Sequence, residues 1–397
     1  KNLCKEYEEL FPLDHFITVE KQLANQKRIQ LDLANEFASE TILGLAMDYY
    51  KLSLLDEAKQ ILEINKNYVK NNIWSAYLSN DTEILGPLKR EPIDFVLPYR
   101  SETVEVLEWA SQNNDIWKFK YYLALNYLAL GRLKEGKEIL QNLNDIPDSE
   151  IFYLFRAKML KDRSYPDLLA DYQKALELNK NDWKIWEENI LFQLNSEKNN
   201  EALDLAKKAV KKFSSNYNLE LAYVKALVQK KDFKKAIEVL YTIQILPFEH
   251  ASESRSLYEK AHLALAKEKL DKKNYEEAIE ILEKAKKWPE NIGIGKPYNP
   301  DERAQDYLLA VGYEYIGETE KNLQILNEIV EYTYSALPKN SFNHLYGLLA
   351  LNKLKKTNEL KEFQNVLEDK SKEENQAATK LALDYWLNKN RTENPNQ

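Results

Sequence analysis

Four segments of the chain carry one pattern in different residues: 46–58, 124–136, and the two endings Lys231-Asp232-Phe233-Lys234-Lys235-Ala236 and Lys273-Asn274-Tyr275-Glu276-Glu277-Ala278. Each reads as an amphipathic helix, a tight turn and the opening of a second helix. One such unit cannot close a core alone, so recurrence at about 34 residues dictates a stack whose apolar seam is shared between neighbours. The 397 residues then add units without demanding one growing core. A chain of this kind is an interaction surface first.

Where the second helix crosses the first, a large side chain would push the backbones apart, so a small residue is needed. Ala58, Ala202, Ala236 and Ala278 fit that place, and Gly136 and Leu168 occupy it in two further units. From Gly136 onward the intervals are 32, 34, 34 and 42 residues. Twelve positions earlier, Ala46, Ala124 and Ala266 are small as well; three positions earlier stand Leu55, Leu133, Phe233 and Tyr275. Pro147, Pro247 and Pro289 follow as helix stops. This set resembles the tetratricopeptide repeat, which implies an all-α fold, a right-handed α-solenoid of helix-turn-helix repeats. The unit 150–179 departs, with Arg156 near a place for a small residue and Leu168 where its partner belongs.

Composition agrees with helix and excludes several classes. Gly numbers only 9 and Pro 12, too few for a turn-rich β domain. The net charge of −8 is the remainder of 64 acidic and 56 basic side chains interleaved along the helices, which argues against a nucleic-acid partner. Lys207, Lys208, Lys211 and Lys212 alternate with Ala206, Ala209 and Val210, the pattern of a solvated helix face rather than a phosphate-binding stripe. Cys4 is the single cysteine, so neither an internal disulfide nor a thiolate metal site is expected. Apolar runs such as 121–130 fall short of the ~20 residues of a membrane span. The compartment stays open between cytoplasm and periplasm.

Helical repeats are expected over 1–110, a second array over 111–388 and a disordered tail at 389–397. The stretch 74–110 should hold a helical pair interrupted by an irregular crossing at 86–98, where Gly86, Pro87, Pro92 and Pro98 break helix. A long loop is expected at 288–300, Trp288 to Pro300. Long loops inside compact arrays are disproportionately functional.

More particular phrases are Leu10-Phe11-Pro12-Leu13-Asp14-His15-Phe16, Asn35-Glu36-Phe37-Ala38-Ser39-Glu40-Thr41, Asp94-Phe95-Val96-Leu97-Pro98-Tyr99-Arg100 with Val106-Leu107-Glu108-Trp109-Ala110, and the loop 289–297. Their succession resembles the C-terminal repeat half of bacterial proteins in which a β-sandwich domain of unassigned function precedes tetratricopeptide-like repeats. The resemblance implies that the sandwich lies outside this sequence, that it is a partner of the repeats, and that the whole protein has a carbohydrate ligand.

Catalytic patterns are weak. Gly293-Ile294-Gly295-Lys296 lacks the glycine spacing and the helix-opening Ser or Thr of a phosphate loop, and Pro297 follows the lysine. His15, His250, His262 and His344 show no metallohydrolase spacing, so no metal and no cofactor is expected. His262 reads as a packed residue on a first helix. Tyr is in excess at 25, with 7 Trp, and a minority of these rings should face the concave groove. Counting along first helices places Tyr50, Lys118, Tyr121, Tyr153, Lys184, Glu187 and Lys225 near that surface, suited to a peptide or protein and also able to stack on sugar. The loop adds Asn291, Gly293, Gly295 and Lys296 as a place for a ligand or an interdomain contact. The function expected is a non-catalytic scaffold; the alternative is a region that completes a carbohydrate-acting enzyme through the 288–300 loop. A transcription regulator fits less well, for want of a basic patch or DNA-reading helix pair.

Overall fold

The computed structural model describes residues 6–7, 9–31, 33, 37–247 and 252–393, and among them no strand occurs. Contacts divide the chain into two compact units, Lys1–Ile185 and Trp186–Gln397. The first contains α1 (His15–Ala24), α2 (Ala38–Lys51), α3 (Leu55–Leu62), α4 (Val69–Ser79), a 3-10 helix (Thr82–Lys89), α5 (Thr103–Asn113), α6 (Trp117–Ala129), α7 (Leu133–Asn142), α8 (Glu150–Met159) and α9 (Tyr165–Leu178). After α10 (Trp183–Asn195) come α11 (Asn199–Lys212), α12 (Tyr217–Gln229), α13 (Phe233–Thr242), α14 (Glu253–Asp271), α15 (Tyr275–Ala285), a short 3-10 turn (Glu290–Ile292), α16 (Arg303–Tyr315), α17 (Thr319–Ser335), α18 (His344–Lys353), α19 (Thr357–Lys370) and α20 (Ala377–Glu393).

Within each unit most helices pack on their sequence neighbours, and first helices also touch the next first helix: α2 on α4 in one unit, and α12 on α14, α14 on α16 and α16 on α18 in the other. This is the contact pattern of an α-solenoid. In the second unit the apolar core is accordingly a series of local clusters, around Leu227 and Leu240, around Leu282 and Leu309, and around Leu348 and Leu367.

The repeat is written most legibly in its turns. Ser53, Gly131, Glu197, Lys231, Lys273, Gly317 and Lys355 all have positive φ, between 57° and 82°. The residue after each donates its amide to the carbonyl five residues earlier, as from Asp232 to Leu227 at 2.9 Å and from Asn274 to Lys269 at 2.9 Å. These are Schellman turns, which satisfy carbonyls that a helix end leaves open. Five residues past the left-handed residue comes the crossing position, and Ala58, Ala202, Ala236 and Ala278 there are all 0% exposed. A Cβ on Gly136 would lie 3.0 Å from the Ala124 carbonyl oxygen and 2.7 Å from Leu128, so the small pair twelve residues apart is a real backbone contact. Leu55 and Leu133 open the second helices but are 44% and 57% exposed, outside the seam. A left-handed lysine costs about 1–2 kcal/mol, and glycine's extra chain entropy returns about 0.5–1 kcal/mol of that. Lys231→Gly should therefore raise stability by about 0.5–1 kcal/mol in a thermal melt; an unchanged or lower midpoint would contradict the strain reading.

The departing unit has its own solution. Arg156, where other units place alanine, is 4% exposed, and its guanidinium pairs with Asp171 at 2.6 Å while donating to the Asn144 carbonyl at 2.5 Å. Arg163 joins Asp171 at 3.0 Å.

Three boundaries differ from the sequence expectation. The division expected after residue 110 falls inside the first unit, because α5 packs on α6. Where a disordered tail is expected from 389, α20 continues to Glu393; residues 394–397 lie outside the described residues. The expected crossing at 86–98 opens inside the 3-10 helix and is irregular beyond it, with Ile93 and Val96 buried. The helical pair expected over 74–110 is α4 and α5.

Candidate functional site

Within the second unit a groove of 730 Å³ runs across α14, α16 and α18, with Tyr385 of α20 at its edge. The α14 wall comprises Ser256, Glu259, Lys260, Leu263, Ala264 and Lys267, a single stripe at helical spacing. The opposite face of α14 (Arg255, Tyr258, Ala261, His262, Ala266) is buried, so packing fixes which face looks into the groove. Leu308, Leu345 and Leu349 make an apolar floor, with Tyr307, Phe342 and Tyr346 beside them. The Tyr307 and Tyr346 ring centroids are 5.7 Å apart, and those of Phe342 and Tyr385 are 6.3 Å apart.

The acidic group lining this surface is Glu259. Burial pushes its carboxyl above the usual range, against the opposing pull of the Arg255 charge and of a hydrogen bond from Gln305 Nε2, 2.8 Å from Oε1. Arg255 spends its donors elsewhere, on the carbonyls of Lys287 (2.7 Å) and Ala285 (2.8 Å), and lies 4.2 Å from the Trp288 ring centroid.

None of the residues expected at a groove from the sequence lines this one. Lys118, Tyr121 and Tyr153 were expected on an open surface; they are 7%, 4% and 0% exposed. Lys118 donates to the carbonyls of Lys89 (2.8 Å) and Glu91, closing the end of the 3-10 helix, and burial lowers its pKa. Tyr121 packs among Trp117, Phe152 and Phe155, and Tyr153 donates to the Pro147 carbonyl at 2.9 Å. For Lys118 and Tyr121 the physical reason is α6 itself, which is buried over most of its circumference, with Lys120 exposed, and is covered on more sides than a surface helix. Tyr50 is half-buried, edge-on to Trp74 at 5.3 Å. Lys184 is exposed beside Trp183, Glu187 is half-buried on the same helix, and Lys225 pairs with Glu253 at 2.7 Å.

The loop 288–300 closes one helix onto another, as a non-phosphate reading of it requires. Asn291 donates to the carbonyls of Leu240 (2.9 Å) and Ile243 (2.8 Å), at the end of α13. Gly293 has φ 73°, and a Cβ there would meet the Ile245 carbonyl oxygen at 2.8 Å, so only glycine fits. Gly295 and Lys296 remain exposed, the lysine paired with Glu302 at 3.2 Å. The exposed lysines 207, 208, 211 and 212 alternate with buried Ala206 and Ala209, a solvated helix face.

His262 lies on the buried side of α14, as its position in a first helix predicts. Its Nδ1 sits 2.7 Å from the Tyr258 carbonyl and its Nε2 3.2 Å from the Tyr241 hydroxyl. Burial pulls its pKa down to about 4. Unfolding restores an ordinary imidazole, so the unfolded chain binds the extra proton first and stability falls as pH drops from about 6.5 towards 4. By about pH 5 the loss from this group is about 1–2 kcal/mol. His262→Phe should flatten the acid limb of the denaturation curve by that amount, and identical limbs would assign the acid sensitivity elsewhere. His344 is buried too, 3.4 Å from Arg303 Nη1 and 2.9 Å from the Lys339 carbonyl; burial first, and the Arg303 charge as well, lower its pKa.

The spacing that marks the groove was in the sequence. Tyr307, Tyr346 and Tyr385 recur at intervals of 39 residues, one per successive repeat, a longer period than the one the alanines report.

No family model matches the chain, and no curated protein matches it. Among solved structures, yeast Tom70 is 13% identical with a TM-score of 0.35, over 97% of this chain and 96% of that one. A tetratricopeptide repeat protein from Parabacteroides merdae ATCC 43184 is 14% identical with a TM-score of 0.31, over 69% of this chain and 98% of that one. The Naa15/Naa10 structure bound to HypK-THB is 12% identical with a TM-score of 0.41, over 82% and 55%.

Proposed function

We propose that the chain is a non-catalytic helical-repeat scaffold that holds a segment of a partner polypeptide in the groove between α14 and α18. The observation that carries this reading is the make-up of the groove: three leucines of its floor and four aromatic rings come from separate repeats, while a polar stripe on α14 lines one side. An elongated apolar trough with a polar margin suits an extended or helical peptide. A scaffold role is supported also by the two buried histidines, which are engaged by internal partners. A β-sandwich domain of the same protein and a carbohydrate ligand are readings that rest on the sequence resemblance.

The test is selection of a random dodecapeptide library, displayed on phage, against the full chain, with Leu263→Arg and Tyr385→Ala as counter-targets. Tyr385 is an exposed side chain, so its truncation leaves the fold unaltered. Peptides enriched on the parent chain and lost on both variants are the expected result. Enrichment that is absent, or indifferent to both substitutions, would end this reading.

A further inference from the structure

We infer that the groove selects a basic side chain, lysine or arginine, on the bound polypeptide, with the cationic head on the Glu259 carboxylate and the stem between Tyr346 and Tyr385. This rests on the polypeptide-binding reading and adds its chemistry.

Glu259 and both tyrosines line one groove, and the Glu259 charge reaches the Tyr346 phenol, whose pKa burial raises and Glu259 raises further. One carboxylate oxygen is held by Gln305, whose amide fixes the side chain against α16. Among the described residues no cation is paired with Glu259. Arg255, whose charge acts on Glu259, keeps its two terminal nitrogens on the carbonyls of Ala285 and Lys287 and its face on Trp288. Asp301 and Glu302 lie close enough that their charges add to the raised Glu259 pKa, but each has its own cation, Asp301 with Arg303 at 2.7 Å and Glu302 with Lys296 at 3.2 Å. A half-buried carboxylate flanked by aromatic faces is the setting in which a cation gains both Coulomb attraction and ring contact.

The groove's other charges, Lys260 and Lys267, are both exposed and largely screened by solvent, Lys267 lying two turns further along α14, about 12 Å from Glu259. A free small cation would fill only the aromatic end and leave the floor of Leu308, Leu345 and Leu349 uncovered. The occupant is therefore a side chain carried on a polypeptide.

The dodecapeptides recovered from the library provide the probe. Each enriched sequence should contain Lys or Arg beside an aliphatic or aromatic residue. Replacing that arginine by citrulline, its neutral isostere, in a synthetic fluorescein-labelled copy should weaken binding to the parent chain at least tenfold in anisotropy titrations. Glu259→Gln should bind the arginine and citrulline peptides within twofold of one another, while Lys267→Gln keeps the tenfold preference. Recovered sequences without a basic residue, dominated by acidic residues, or bound equally in arginine and citrulline form would overturn the inference while leaving polypeptide binding intact. Arginine amide competing at the same concentration as the dodecapeptide would also overturn it, in favour of a small-cation site. Failure to recover any groove-dependent peptide removes the underlying reading instead.

Discussion

Replacing Asp171 by alanine is expected to destabilise the first unit by about 3–5 kcal/mol, because it leaves the buried Arg156 guanidinium with only Asp145, solvent-exposed and 4.0 Å away, as counter-charge. Arg156 is 4% exposed and cannot swing to water without opening the seam between α8 and α9. Its bond to the Asn144 carbonyl satisfies a donor but supplies no negative charge. A pair of this kind is not itself a large source of stability, since both ions were taken out of water to form it. The double replacement Arg156→Met with Asp171→Leu should therefore lie within about 1–2 kcal/mol of the parent. Hydrogen exchange of the α8 and α9 amides separates this unit's opening from that of the rest of the chain, which a repeat protein does not always unfold in one step. A single variant within 1 kcal/mol of the parent by that measure, or a double variant as damaged as the single, would show that the ion pair is not what holds this repeat.

Gly347→Ala is expected to cost about 2–3 kcal/mol, even though alanine in a helix gains about 1 kcal/mol of propensity over glycine. The new Cβ would sit 2.4 Å from Cγ2 and 2.7 Å from Oγ1 of Thr333, a residue with no exposed surface on α17. Overlap of this size is relieved only by parting α17 from α18, so packing outweighs propensity. Thr333→Ser removes the closer of the two clashing atoms and keeps the hydroxyl that accepts from Arg303 Nη1 at 3.1 Å. The pair Gly347→Ala with Thr333→Ser should recover about half of the loss in a urea titration. No recovery would place the clash with the backbone instead.

Thr333 and Gly347 also explain what was unreadable. The alanine ladder from Ala202 to Ala278 is local, set by backbone approach within one repeat, and such spacing survives in a single sequence. In the following unit the same place is taken by Asn322, whose amide donates to the Ala310 carbonyl at 2.7 Å, so a polar residue performs by bonding what alanine performs by being small. That substitution hid a whole repeat. The exposed lysines 231 and 273 likewise conceal left-handed turns that the sequence would assign to glycine. Site residues failed for a different reason: the first-helix count assumed one broad open face, whereas most of α6 is buried, with Lys120 exposed, and Lys118 and Tyr121 are drawn inward. Arg156 was legible as a departure, but its counter-ion sits fifteen residues on, in a helix whose register could not be read.

The Schellman turn and the crossing alanine both lie within six residues of each repeat, while the stripe from Ser256 to Lys267 belongs to a different face of α14. Stacking and recognition therefore draw on separate alphabets. Mutation can rewrite the wall of the trough one letter at a time, exchanging Glu259 or Lys267 for another charge, without loosening the seam that keeps the repeats stacked.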